Sequence, residues 1–305
     1  MKTTDALLAA ARLCGLPEEA ARLCGKVSQS FDCEALSQSF FSLSGKRRIP
    51  KDASAPAARL GYFPHGFYPE RTFFTPAKAL FDAAGIPRET GFLAALLSFS
   101  DTTRSIYQTF GLPDAVLSPS LAEIGKNARA FQTSHGFYGV DDYVWLCCFL
   151  IPELFSVGSL QFRLCGFPYA DVSVGGAVVR RGEAVIQTHV PDGADISRPA
   201  LRNAYTVASM LFGTNIFLVD SWLLYPEHRQ MLPSDSAIRG FMDDFAIIDR
   251  NETDDYEGLF RIFGRRGCYR YDSLPQDTAL RRAYAERVKR RLPIGSAVGV
   301  MRHNP

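Results

Sequence analysis

The stretch most suited to chemistry runs from residue 184 to 225, where AVIQTHV, PDGADI, a helix-patterned segment and TNIFLVDSWLL follow one another. It reads as strand, glycine turn, helix and strand. A helix fed by a strand presents unpaired backbone N–H groups at its start, and the helix dipole points the same way, which makes that end an anion site. Ser197 is placed to cap it and Gly193 lets the backbone approach a phosphate closely. Val190, Asp192 and Ala194 complete the turn. Arg198 and Arg202 fall in the first turns of the helix, where cations are unfavourable by about 0.3–1 kcal/mol each unless an anion sits beside them. Two readings stay open for them: phosphate contact, or a solvated face.

In a βαβ unit the ligand crevice lies beyond the carboxyl ends of the strands. Those ends present Gln187 and His189 on one side, and Asp220, Ser221 and Trp222 on the other. An imidazole with an ordinary pKa near 6.5 can take the proton that an amine must lose before it attacks a thioester. His189 is therefore the candidate base, or else a structural histidine at a strand end. Asp220 could orient His189, hold a cationic acceptor, or cap the turn before Pro226. Tyr225 is a candidate acid for the leaving thiolate, or a packing residue. Trp222 reads as core.

The surrounding elements fall into two kinds. The first half is helical: Asp5 to Cys14, Pro17 to Cys24, the segments opened by Thr75-Pro76 and by Pro87, and Ser120 to Phe131 with Leu121, Ile124 and Ala128 on one stripe. Ser44 to Pro56, with Lys46, Arg47 and Arg48, reads as an exposed connection. Tyr143 to Leu150 is apolar on every side and should be a buried helix or strand at a domain boundary. Beyond Pro152 the period changes to that of strands, Leu160–Leu164, Val172–Val179 and Val185–Val190, turned at Gly175-Gly176 and Arg181-Gly182. A helix from Ser197 to Leu211 leads to a strand from Ile216 to Leu223. A short helix from Pro226, a helical stretch Ser234–Met242 and strands Phe245–Ile248 and Leu259–Phe263 around the acidic loop Asp249–Asp255 follow. A basic helix Asp277–Leu292 and a strand Gly295–Met301 end the chain. The expected architecture is α+β: a mostly helical domain over 1–150 and a mixed-sheet domain with flanking helices over 151–305.

Composition closes off other classes. The formal charge of +2 provides no field to gather a polyanion, and the arginines of the last helix alternate with apolar residues at helical spacing, so no nucleic-acid partner is expected. No apolar run approaches the roughly 18 residues of a membrane span, and no secretory leader is visible. Seven scattered cysteines with no zinc spacing read as reduced thiols in a cytoplasmic protein without a metal. Neither G-x-S-x-G nor H-E-x-x-H occurs.

Taken in order, LFSVGSLQFRL (154–164), THVPDGADIS (188–197), DSWLLYPEHRQMLPSDSAIRGFMDDFAI (220–247), LFRIFG (259–264), LPQDTALRRA and the ending GSAVGV resemble bacterial acyltransferase-like proteins. In these a helical N-acyltransferase N-terminal domain precedes a GNAT-like C-terminal domain. SLAEIGKNARAF and HGFYGVDDYVWL agree more loosely with the helical part. The resemblance implies a GNAT-type sheet, acyl-CoA or acetyl-CoA as co-substrate, and a small-molecule or peptide amine as acceptor. Three departures stand out. Val219-Asp220 replaces a Cys-His pair, Arg163 ends the Leu-Gln-Phe phrase in place of Glu, and the pyrophosphate loop Q/R-x-x-G-x-G/A is reduced to the single Gly193. The reduced loop and the Asp220 departure support the alternative of a degenerate GNAT-like module that senses a ligand or binds a protein.

Overall fold

The computed structural model describes residues 4–64, 70–252, 256–263 and 271–304. The chain divides into two compact units, Met1–Val157 and Gly158–Pro305, where the sequence places its boundary after residue 150.

The first unit holds helices α1 (Thr4–Leu13), α2 (Glu18–Val27), α3 (Cys33–Ser42), α4 (Pro56–Leu60), α5 (Thr75–Ala83), α6 (Arg88–Phe110), α7 (Asp114–His135) and α8 (Tyr143–Leu150), then strand β1 (Phe155–Val157). Its centre is α6, which is buried continuously from Thr90 to Ser100 because apolar or small residues occupy every face there. Phe92 stacks on Tyr143 of α8 at 3.9 Å and meets Phe81 of α5 edge-on at 5.1 Å. Helix α7 begins at Asp114, earlier than the expected Ser120, and runs through Pro119. That proline stands in the second turn, where the missing N–H removes only one intrahelical bond. Ser120 then accepts the Ser156 N–H at 2.9 Å, which ties α7 to β1. The Ser44–Pro56 connection is less exposed than its charges suggest. Arg47 lies half-buried over the Phe63 ring at 5.0 Å and donates to the Leu60 carbonyl at 3.4 Å.

The second unit holds β2 (Leu160–Gly166), the hairpin strands β3 (Val172–Val174) and β4 (Ala177–Val179), β5 (Ala184–His189), α9 (Arg198–Phe212), β6 (Ile216–Ser221), α10 (His228–Met231), α11 (Ala237–Asp243), β7 (Ala246–Asn251), α12 (Tyr256–Phe263), α13 (Ala279–Arg290) and β8 (Ser296–Arg302). Within it the strand order is β2-β5-β6-β8-β7. Only β5 and β6 run parallel; the other neighbours are antiparallel. Helix α9 is the crossover that parallel pairing demands. Its Tyr205 packs on Phe162 and Phe217, at 6.4 and 4.9 Å between ring centres. The opposite sheet face carries Val185, Ile216, Leu218, Val298 and Val300 under Val174 and Val179 of the hairpin.

Leu259–Phe263 is helical, not a strand. Leu259, Ile262 and Phe263 are buried with Leu274, Tyr284 and Ile294, and a spacing of three and four residues puts one face of a helix inward where a strand would alternate. Of the acidic loop Asp249–Asp255, residues 249–251 belong to β7 and 253–255 lie outside the described residues, as do Gly264 and Cys268.

Candidate active site

Parallel pairing of β5 and β6 is short. Ile186 faces Phe217 and Gln187 faces Leu218, and the pairing ends there although both strands continue, to His189 and Ser221. Each stays bonded on its outer side, β5 to β2 through His189 and β6 to β8 through Ser221. The sheet therefore splits like a V whose mouth points along the strand ends.

At the mouth lies a crevice of about 300 Å³, lined by Val190, Asp192, Gly193 and Ala194 on one side and by Trp222, Leu223, Ile238 and Arg261 on the other. Gly193 has φ +74°, a conformation that other L-residues adopt at a cost of roughly 1–2 kcal/mol. Arg261 of α12 forms a 3.8 Å ion pair with Asp192 across the crevice. Ser197 occupies the N-cap position of α9, yet its side chain makes no capping bond; its own N–H donates to Asp195 Oδ1 at 2.9 Å. Pro199 leaves the first turn one N–H short.

Strand register places the titratable groups. Arg163 faces Gln187 and donates from Nε to its Oε1 at 2.7 Å. His189, two residues on, shares that face, and so does Asp220, two residues beyond Leu218. Burial first, and the nearby Arg163 charge second, push the His189 imidazole down to about 3. It is thus neutral at pH 7 and a weak proton acceptor. Asp220 is exposed.

The structure lines the crevice with Val190, Asp192, Gly193 and Ala194; His189 and Asp220 share one sheet face but do not line it. It separates Arg198, Arg202 and Tyr225 from them. Arg198 forms an ion pair with Asp244 and, with Arg202, lines another cavity of about 560 Å³ beside α9. Tyr225 lines a third, of about 590 Å³, where its hydroxyl donates to Glu252 and to the Pro293 carbonyl at 3.5 and 3.4 Å and Arg287 lies over its ring. A 3-10 turn, Trp222–Leu224, ends β6 between Trp222 and that cavity, which a strand reading of Ile216–Leu223 cannot show. Trp222 lines the crevice as well as packing beside Tyr284. Sequence reasoning missed Arg163 and Arg261. Alternation along β2 could have found the first; the second was hidden by reading α12 as a strand.

Among the described residues no group of three or more His, Cys, Asp or Glu side chains could hold a metal, and no helix is long and apolar enough to cross a membrane. Six described cysteines are free thiols.

The chain is similar in structure to an acyltransferase in complex with decanoyl-CoA and teicoplanin, with 20% identity and a TM-score of 0.66 over 96% of this chain and 86% of that one. A mutant acyltransferase in complex with octanoyl-CoA gives 20% identity and a TM-score of 0.69 over 100% and 89%. At such identities the likeness is one of fold. No curated protein matches the sequence. Residues 6–150 match the N-acyltransferase N-terminal domain family and residues 154–301 match the GNAT-like C-terminal domain family. The chain belongs to the family in which these two domains are joined.

Proposed function

We propose that the protein is a cytoplasmic enzyme that transfers an acyl group from an acyl-CoA to an amine at the split between β5 and β6. The observation that carries this reading is the end of parallel pairing at Gln187 and Leu218, which opens two bonded strands beside the loop that leads to α9. An extended thioester arm inserted there finds backbone donors and acceptors on both sides, and Gly193 and Arg261 stand where its phosphates emerge. Structural relatives bound to octanoyl-CoA and decanoyl-CoA support the donor class, and the one bound to teicoplanin supports a small-molecule acceptor. Holding amine and thioester together supplies most of the acceleration. His189 receives the amine proton and Asp220 steadies the ammonium before it is lost.

The test is thermal unfolding with acetyl-, octanoyl- and decanoyl-CoA, followed by release of CoA thiol when an amine is added. A ligand at a hundred times its Kd stabilises by about 2.7 kcal/mol, enough for a shift of several degrees. His189→Gln should keep the shift and lower thiol release by about 10²- to 10⁴-fold, the usual weight of a general base. Absence of a shift with all three donors refutes the reading.

The depressed basicity of His189 favours a second reading, a module that binds acyl-CoA without turning it over. A shift with no thiol release from any amine would establish it.

A further inference from the structure

Helix α9 carries Arg198, Arg202 and Thr206 four residues apart, so they rise along one face, with Pro199 and Asn203 beside them. These five residues line the cavity of about 560 Å³, which starts two residues beyond Ile196 of the crevice wall. Asp244, the C-cap of α11, holds the Arg198 guanidinium in an ion pair. Thr206 is engaged within the fold, its hydroxyl donating to the Arg202 carbonyl at 2.9 Å and accepting from His303 Nε2 at 3.0 Å. Arg202 is exposed and joins no ion pair among the described residues. A cation early in a helix runs against the dipole unless an anion stands beside it. Asp244 is that anion for Arg198, and Arg202 has no counterpart to it among the described residues.

We propose that this cavity receives the nucleotide end of the acyl donor, with Arg202 pairing with the 3′-phosphate of coenzyme A. This rests on the acyl-CoA reading above and adds a second point of attachment to it. The crevice takes the thioester arm, which leaves past Gly193 toward the start of α9. Arg202 stands five residues beyond Ser197, about 7.5 Å along the helix axis at 1.5 Å per residue. In coenzyme A one ribose separates the diphosphate from the 3′-phosphate, a span of the same order. The guanidinium fork suits a phosphate, since it can present two N–H groups to two oxygens. The loop before α9 is poor in donors for a diphosphate: it has the single Gly193, the Ser197 N–H is given to Asp195, and Pro199 has no N–H at all. Affinity that the loop lacks is thereby recovered one turn further along the same helix. The donor is then selected as a 3′-phosphorylated nucleotide, and not as any pantetheine thioester.

Calorimetric titration of the unaltered chain and of Arg202→Gln, each with octanoyl-CoA and with octanoyl-3′-dephospho-CoA, tests this. The unaltered chain should bind the 3′-phosphorylated thioester about 10-fold more tightly, the low end for a hydrogen bond to a charged group because the site is open to solvent. For the same reason the margin should narrow as salt rises from about 0.05 to about 0.5 M. Arg202→Gln should erase the margin by weakening octanoyl-CoA alone, and its unchanged affinity for octanoyl-3′-dephospho-CoA shows that the variant is folded. Equal affinity of the two thioesters for the unaltered chain, a margin that persists in Arg202→Gln, or a loss in that variant that falls equally on both thioesters overturns the proposal. Failure of the unaltered chain to bind either thioester instead refutes the acyl-CoA reading beneath it.

Discussion

Lowering the pH from 7.5 to 5 should cost the second unit about 2 kcal/mol of stability through His228 alone. This side chain is fully buried, its Nδ1 donates to the Leu223 carbonyl at 3.1 Å, and its Nε2 therefore accepts from the Tyr284 hydroxyl at 2.5 Å. Burial is the main cause that pushes it down from 6.5 to about 4; the Leu223 carbonyl opposes the shift and the Arg287 charge adds to it. The folded state thus binds fewer protons than the unfolded chain between those two values. Stability is whole above pH 6.5 and falls as the pH drops toward 4, at up to about 1.4 kcal/mol per unit. Partial titration at the upper edge leaves about 2 kcal/mol of loss at pH 5. Urea unfolding at the two pH values measures it through Trp222, which meets His228 edge-on at 5.7 Å. Trp145→Phe removes the only other tryptophan signal. His228→Gln supplies the control, because an amide can donate to Leu223 and accept from Tyr284 without titrating. His189 and His303 are shifted downward too and contribute equally to both proteins, so the difference between them isolates His228. Equal losses in the two proteins would refute the argument.

Gly125→Ala should destabilise the first unit by at least about 3 kcal/mol in urea titration, since an added methyl carbon would stand 1.8 Å from the Cys14 carbonyl oxygen, a clash with main chain that no rotamer relieves. Ser197→Ala should cost less than about 0.5 kcal/mol, below the usual 1 kcal/mol for a lost cap, because the hydroxyl caps nothing. Tyr225→Phe should leave thiol release within about twofold of the unaltered rate and lower stability by no more than about 1 kcal/mol, having only two long hydrogen bonds to lose; a large fall in turnover would return that phenol to the chemistry. Gly193→Val should weaken acyl-CoA binding and lower the melting temperature by a few degrees, from a strain of roughly 1–2 kcal/mol.

Local pattern made much of the second unit legible. Strands β2, β5 and β6, the crossover helix α9 and the Gly193 turn all follow from periodicity and turn residues, and so does the candidate position of His189. What failed shares one cause, that pairing between distant segments is not written in any short stretch. LFRIFG carries the residues of a strand, and only its neighbours Tyr284 and Ile294 make three-and-four spacing the one that buries it. Arg198 follows the crevice loop directly in sequence, but Asp244 captures its guanidinium. Arg163 is a polar residue in an apolar strand until register sets it against Gln187. In the first unit, Arg47 sits in a run of Gly, Ser and Lys that reads as solvated, and Phe63 draws it under cover.

The short union of β5 and β6 gives the sheet an edge in its interior. Along Thr188–His189 and Val219–Ser221 each strand is braced from outside, by β2 and by β8, and the ladder between the two has ended. Ordinary edges invite another protein's strand, but a cleft bounded on both sides admits only a slender chain with amides of its own. Selection by width at this seam is thus set by the backbone.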